Sequence, residues 1–124
     1  MSNKNWNKIT DAELDIMNAL WEIGTAESPA IFNALETNWS SNRGTKKTVL
    51  ARLVKKGVIE RVALNNKAYL YSPAISKEEY INEFRKWMIK RVFDGDAKKM
   101  LANLIKDESI TREDLEMLLH NTVT

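Results

Sequence analysis

Apolar residues recur along this chain mostly at helical spacing, and at one place they do not. Between Thr10 and Ile23, Leu14, Met17, Leu20 and Trp21 fall three and four residues apart, with Ile16 flanking them. That spacing predicts one apolar helix stripe. Thr10 and Glu13 stand in the order T-x-x-E, a capping box that starts the helix, and Gly24 stops it. Ser28-Pro29 predicts a second start, with Ser28 as N-cap and Pro29 at the first helical position. Ile31, Phe32 and Leu35 give this helix its apolar side, to about Thr37. A loop rich in Ser and Asn follows, from Asn38 to Gly44. A third helix is expected from Thr45 to Lys56, with Val49, Leu50, Leu53 and Val54 as its inner stripe and Gly57 as its end.

After Gly57 the pattern changes. Val58 to Leu64 and Lys67 to Ser72 are rich in β-branched and aromatic residues, with Asn65-Asn66 between them. Asn tolerates the positive φ of a tight turn, so the pair predicts a β-hairpin, closed by Pro73. Three helices followed by a hairpin resemble a winged helix-turn-helix spanning residues 1–74. Helical spacing then returns. Ser76 and Glu79 form a second capping box ahead of Tyr80, Ile81, Phe84, Trp87, Met88 and Val92, on a helix to about Phe93. Asp94-Gly95-Asp96 breaks it, as ordinary turn chemistry. Met100, Leu101, Leu104 and Ile105 mark a short helix to about Lys106. Thr111, with Asp114 at the third position, caps a last helix striped by Leu115, Leu118 and Leu119. The fold class expected is mostly α with a small hairpin: a winged helix, then a helical region over residues 75–124.

That helical region has nothing obvious in its own chain to bury against. Self-association is the expected remedy, through Tyr80, Ile81, Phe84, Trp87, Met88, Leu101, Leu104, Leu115, Leu118 and Leu119. The alternative is that it folds back on the winged helix. The length of 124 residues fits one domain with an appendage and a modest core, which a partner subunit would supplement.

Composition removes most chemistries. There is no cysteine, hence no disulfide or thiolate metal site, and the single histidine, His120, lies in a polar terminal context. No apolar run reaches the ~18 residues of a membrane span, and the polar stretch Met1 to Lys8, with only Trp6 apolar, is not a signal peptide. It reads as a loose tail that Trp6 pins down. No paired carboxylates, nucleophile–base arrangement or phosphate-cradling glycine loop stands out. A cytoplasmic, non-enzymatic protein without metal or cofactor is expected.

Charge then changes the picture. The net charge is +2, yet Arg43 to Lys67 alone holds eight basic residues and one acid, Glu60. At about 100° per residue, Thr48, Ala51, Arg52 and Lys55 point away from the apolar stripe of the third helix, with Thr45 nearby. A slim, hydroxylic, cationic face suits a helix entering a major groove, with Arg for guanine edges and Lys and Thr for phosphates. Double-stranded DNA is therefore the expected partner. The candidate contacts are Arg43, Thr45, Lys46, Lys47, Thr48, Arg52 and Lys55 on the helix and Arg61 and Lys67 on the wing. Competing readings are a solvated helix face, a protein-interaction module using the same surface, and a regulator that answers a small ligand beneath Trp87.

Three segments carry a family resemblance. Ala12-Glu13-Leu14-Asp15-Ile16-Met17-Asn18-Ala19-Leu20-Trp21 resembles the first helix of the penicillinase and methicillin-resistance repressors. Trp39-Ser40, then Thr45-x-x-Thr48-Val49-Leu50-x-Arg52-Leu53-x-Lys55-Lys56-Gly57-x-Ile59, is similar to their recognition helix and its exit. Leu101-Ala102-Asn103-Leu104-Ile105-Lys106-Asp107-Glu108 resembles the segment around their cleavage site. The resemblance implies a homodimeric repressor on a palindromic operator, often with TACA/TGTA half-sites, controlling a β-lactamase or other resistance regulon. Thr45, Lys47, Thr48 and Arg52 would be the recognition contacts. Relief would follow cutting of the Asn103–Leu104 bond by a protease that a membrane sensor activates, without contact between this chain and the membrane. Three departures from the family pattern stand out: a longer loop between Ser40 and Thr45, Lys46 in a usually apolar place, and Leu104 where the family carries Phe.

Overall fold

The computed structural model describes residues 9–35, 39, 43–106 and 109–123, and the side chains among these except those of 43–45, 122 and 123. The expected tail, Met1 to Lys8, lies outside the described residues, as does most of the loop from Asn38 to Gly44. A first compact unit runs to Phe84 and a second begins at Arg85.

The first unit is built on α1 (Asp11–Ile23), α2 (Ser28–Ala34), α3 (Arg43–Lys56), a hairpin of β1 (Ile59–Ala63) and β2 (Tyr69–Pro73), and the start of α4 (Lys77–Val92). Helix α1 starts as expected: the Thr10 side chain accepts from the Glu13 amide at 3.2 Å, and the Thr10 amide donates to Glu13 Oε1 at 2.9 Å. Gly24, at φ 100°, receives the chain at the far end. The inner stripe is Ile16, Met17, Ala19 and Leu20, all buried, whereas Leu14 and Trp21 lie half-buried against the core. Ile16 thus belongs to the core rather than to its flank. Trp21 sits at the edge, where its indole N–H donates to the Ile75 carbonyl at 3.0 Å.

Helix α2 departs from expectation at both ends. Ser28 is its first residue and Glu27 occupies the N-cap, because the Ala30 and Ile31 amides donate to the Glu27 carbonyl. The helix stops at Ala34, and Leu35 leaves in extended conformation while still packing on the core. Helix α3 begins two residues earlier than expected, at Arg43. It ends as expected at Gly57, whose φ of 84° is open to glycine. The Gly57 amide donates to the Val54 carbonyl and the Val58 amide to that of Leu53, which closes a Schellman motif. Leu53 and Val58 are both fully buried, so the turn leads the chain from the underside of α3 directly into β1.

The hairpin pairs Ile59 with Pro73 through to Ala63 with Tyr69, antiparallel. Pro73 is therefore a paired end residue of β2. The connection is longer than a two-residue turn. The Leu64 and Asn65 amides both donate to the Ala68 carbonyl, and Asn65 Oδ1 accepts from the Lys67 amide at 2.8 Å. That Asx turn replaces the positive-φ turn expected at Asn65-Asn66; among described non-glycine residues only Asp94 has positive φ. Ala26, between α1 and α2, bridges Tyr71 through two backbone hydrogen bonds of 3.0 and 2.8 Å. This short extra pairing fastens the hairpin to the helices.

The first unit extends beyond residue 74. Ile75 is fully buried, the Ser76–Glu79 capping box forms, and Tyr80 packs on Trp21 with ring centroids 5.5 Å apart. In the second unit the remainder of α4 is followed by α5 (Ala97–Leu104) and α6 (Arg112–Val123). The turn between α4 and α5 uses Asp94 and Gly95 at φ 56° and 78°, and Asp96 caps α5 by accepting from the Lys98 amide. Thr111 and Asp114 exchange backbone–side-chain hydrogen bonds of 3.0 Å each at the start of α6. No residue of α4 or α5 is buried in the single chain.

Candidate nucleic-acid interface

Helix α3 has two unlike faces. Val49, Leu50 and Leu53 are buried and Val54 is half-buried, against α1 and β1. Lys47, Thr48, Ala51, Arg52 and Lys55 are exposed on the other side. No acidic residue stands in this helix, so its outer face is uniformly positive or neutral. Lys46 is half-buried, with its ammonium 5.8 Å from the centroid of the Trp39 ring. That distance is within the range of a cation–π contact, which favours a lysine at this half-buried position. Arg43 and Thr45 lie in the first turn of α3. Their side chains lie outside the described residues.

The wing adds two more of the expected cations. Arg61 stacks over the ring of Tyr69 at 4.3 Å to the centroid, a diagonal cross-strand pair, and is exposed. Lys67 is exposed in the hairpin loop, where its amide completes the Asx turn. The α3 cations and the wing cations belong to the same compact unit, and the Schellman turn at Gly57 links the two elements directly.

One residue matters here in a way its sequence position does not suggest. Glu13, read from the sequence as a capping partner, is 0% exposed. Its Oε1 accepts from Lys56 Nζ at 2.7 Å as well as from the Thr10 amide. Its Oε2 has no hydrogen-bond partner among the described residues, and Arg52 Nη1 stands 3.8 Å away. A buried carboxylate is tolerated only with cationic partners, and an unsatisfied acceptor costs about 1–3 kcal/mol. The acidic first turn of α1 thus meets the basic last turn of α3, each favourable for its helix dipole. Lys56 serves this internal pair. The pairing spans 43 residues of sequence.

A family model described as the penicillinase repressor matches residues 9–121. The chain belongs to the penicillinase repressor family. Within it, the chain is 28% identical over 118 residues to a penicillinase repressor of Staphylococcus aureus, covering 95% of this chain and 92% of that one. It is 26% identical over 118 residues to the methicillin resistance regulatory protein MecI of Mammaliicoccus sciuri, covering 95% and 94%. The first unit is also similar to the solution structure of the DNA-binding domain of the repressor BlaI, with a TM-score of 0.53 and 27% identity over 62% of this chain and 93% of that one. The fold is accordingly a winged helix, as the three helices and hairpin imply. No helix of the described residues is long and apolar enough to cross a membrane, and no group of three or more His, Cys, Asp or Glu among them could hold a metal ion.

Proposed function

We propose that the chain is a homodimeric, DNA-binding transcriptional repressor that reads a palindromic operator with α3 and the wing, and that proteolysis in its C-terminal region relieves repression. The observation that carries the reading is the outer face of α3: Lys47, Thr48, Ala51, Arg52 and Lys55 are exposed, without an acidic residue, on a helix whose inner face is buried. Arg52 and Thr48 would meet base edges or phosphates, and Lys47, Lys55, Arg61 and Lys67 the backbone. Arg43, Thr45 and Lys46 at the helix start complete the proposed contacts. The names of the relatives support a β-lactamase or other antibiotic-resistance regulon, and the repressor would act in the cytoplasm without a catalytic step of its own.

Dimerisation through the C-terminal helices is supported by the apolar side chains exposed in the single chain, among them Ile81, Phe84, Leu101, Leu104, Leu118 and Leu119. Tyr80, Trp87, Met88 and Leu115, all half-buried, belong to the same proposed surface. For the switch, Asn103 and Leu104 are exposed in the last turn of α5. Terminal turns fray readily, so this bond is open to a protease that a membrane sensor activates.

The test is a salt titration with the wild-type chain, Arg52→Ala and Thr48→Ala on a duplex bearing a TACA/TGTA palindrome and on a scrambled duplex. Log affinity should fall steeply with log salt, and each substitution should cost about 1–3 kcal/mol on the palindrome. If neither substitution changes affinity for either duplex, α3 is not the reading element.

A further inference from the structure

The fully buried carboxylate of Glu13 lies beneath the proposed reading helix, and DNA contact leaves it unexplained. Arg52 and Lys56 are four residues apart and so share one side of α3. Lys56 turns inward onto Glu13 Oε1, and its side chain is 19% exposed. Arg52 lies at the border: its Nη1 is 3.8 Å from Glu13 Oε2, yet the side chain is 48% exposed.

We propose that Glu13 is a positioning residue for DNA recognition, which holds one edge of the Arg52 guanidinium from inside the core so that the opposite edge is presented to DNA in one orientation. This inference rests on the reading of α3 as the DNA-contacting helix. A guanidinium carries five donors in a planar fork, so one edge can face a carboxylate while the other is offered outward. Bidentate recognition of a guanine edge depends on the plane of that fork and is lost on the wrong base, whereas phosphate contacts are offered alike by every sequence. An arginine held in place also loses less rotamer freedom on binding. The tether therefore acts on discrimination between sequences rather than on affinity for DNA in general. Electrostatics alone would have the opposite sign. Neutralising a carboxylate behind the cationic face should strengthen binding to every duplex alike.

The experiment uses the full chain and two duplexes: the sequence that the wild-type protein enriches from a random pool, and its scrambled counterpart. Wild type, Glu13→Gln, Arg52→Ala and the double variant are compared, each checked for folding by circular dichroism. Glu13→Gln keeps an oxygen for the Thr10 amide and removes the charge. The expected result is a fall of about tenfold in the ratio of specific to scrambled affinity, within the span of one lost bidentate base contact. Affinity for the scrambled duplex should be unchanged or raised, and Glu13→Gln should cause no further loss in the Arg52→Ala background. If Glu13→Gln does not fold, Glu13→Asp keeps a buried charge but draws the carboxylate back by one methylene from Lys56 and Arg52 alike, and the same loss of ratio, absent in the Arg52→Ala background, is expected. Equal loss on both duplexes, tighter binding to both, an undiminished loss without Arg52, or no change overturns the inference. Failure of the wild-type chain to enrich any duplex overturns the reading of α3 itself, and this inference with it.

Discussion

Lys55 and Lys56 are neighbours in the chain with opposite surroundings. Lys55 is exposed on the outer face of α3, while Lys56 reaches inward to Glu13 Oε1 at 2.7 Å. Truncating them should therefore move different quantities. Lys56→Ala leaves the buried Glu13 carboxylate with Arg52, at 3.8 Å, as its one nearby cation among the described residues. Removing one member of a buried pair costs about 3 kcal/mol or more, and urea denaturation should show it as a lower midpoint. Lys55→Ala should change stability by less than about 0.5 kcal/mol, as surface substitutions do. It should instead weaken binding to all duplexes and reduce the salt slope by about one phosphate contact. The reverse pattern would mean that the inward and outward faces of α3 have been assigned the wrong way round. In sequence the two lysines look alike, because the partner that separates them is 43 residues away.

At the scale of elements, local chemistry was legible and long-range pairing was not. The capping boxes at Thr10, Ser76 and Thr111 and the glycine stop after α3 depend on residues three or four apart, and each forms where the spacing predicts. Helix α2 and the hairpin loop went differently for equally physical reasons. Glu27 takes the N-cap of α2, and the Asn65 side chain bonds the Lys67 amide, which widens the turn. The Ala26–Tyr71 bridge joins segments too far apart for periodicity to reveal. One cap carries a pH dependence. The amide and hydroxyl of Thr111 hold the Asp114 carboxyl below the usual aspartate range. A depressed folded value means that the contribution to α6 is present above the unfolded value and is lost as pH falls through the folded one. The Thr111 and Asp114 amide resonances should therefore titrate together at a pH below that of an ordinary aspartate. Thr111→Ala should shift that midpoint upward and fray the first turn of α6. A midpoint unchanged by the substitution would remove the Thr111 hydroxyl as a cause and leave the Thr111 amide, which alanine keeps, as the group that holds the carboxyl down.

For the whole molecule, the second unit is best understood through what it leaves exposed. Leu104, Ile105, Met117, Leu118 and Leu119 are all exposed in the single chain and lie at or beyond the proposed cut after Asn103. Burying what each still exposes would contribute roughly half of the ~1.5–3 kcal/mol of a full burial, a total of about 4–8 kcal/mol that is of the order of the ~8 kcal/mol of a micromolar dimer. A dimer engages the second half of a palindrome at the high effective concentration set by its first contact, which raises overall affinity by about 100-fold or more. The first unit ends at Phe84, so cutting after Asn103 leaves its core and α3 whole. The fragment 1–103 should consequently keep the thermal transition of the first unit, sediment as a monomer at micromolar concentration, and bind an isolated half-site as the full chain does. On the palindrome it should lose about 100-fold, because release then follows from mass action and not from damage to the reading face. The full chain should sediment as two copies under the same conditions. A fragment that holds the palindrome as tightly as the full chain would rule out cleavage at this bond as the inducing event. A fragment that fails on the half-site as well would place part of the reading element beyond Asn103.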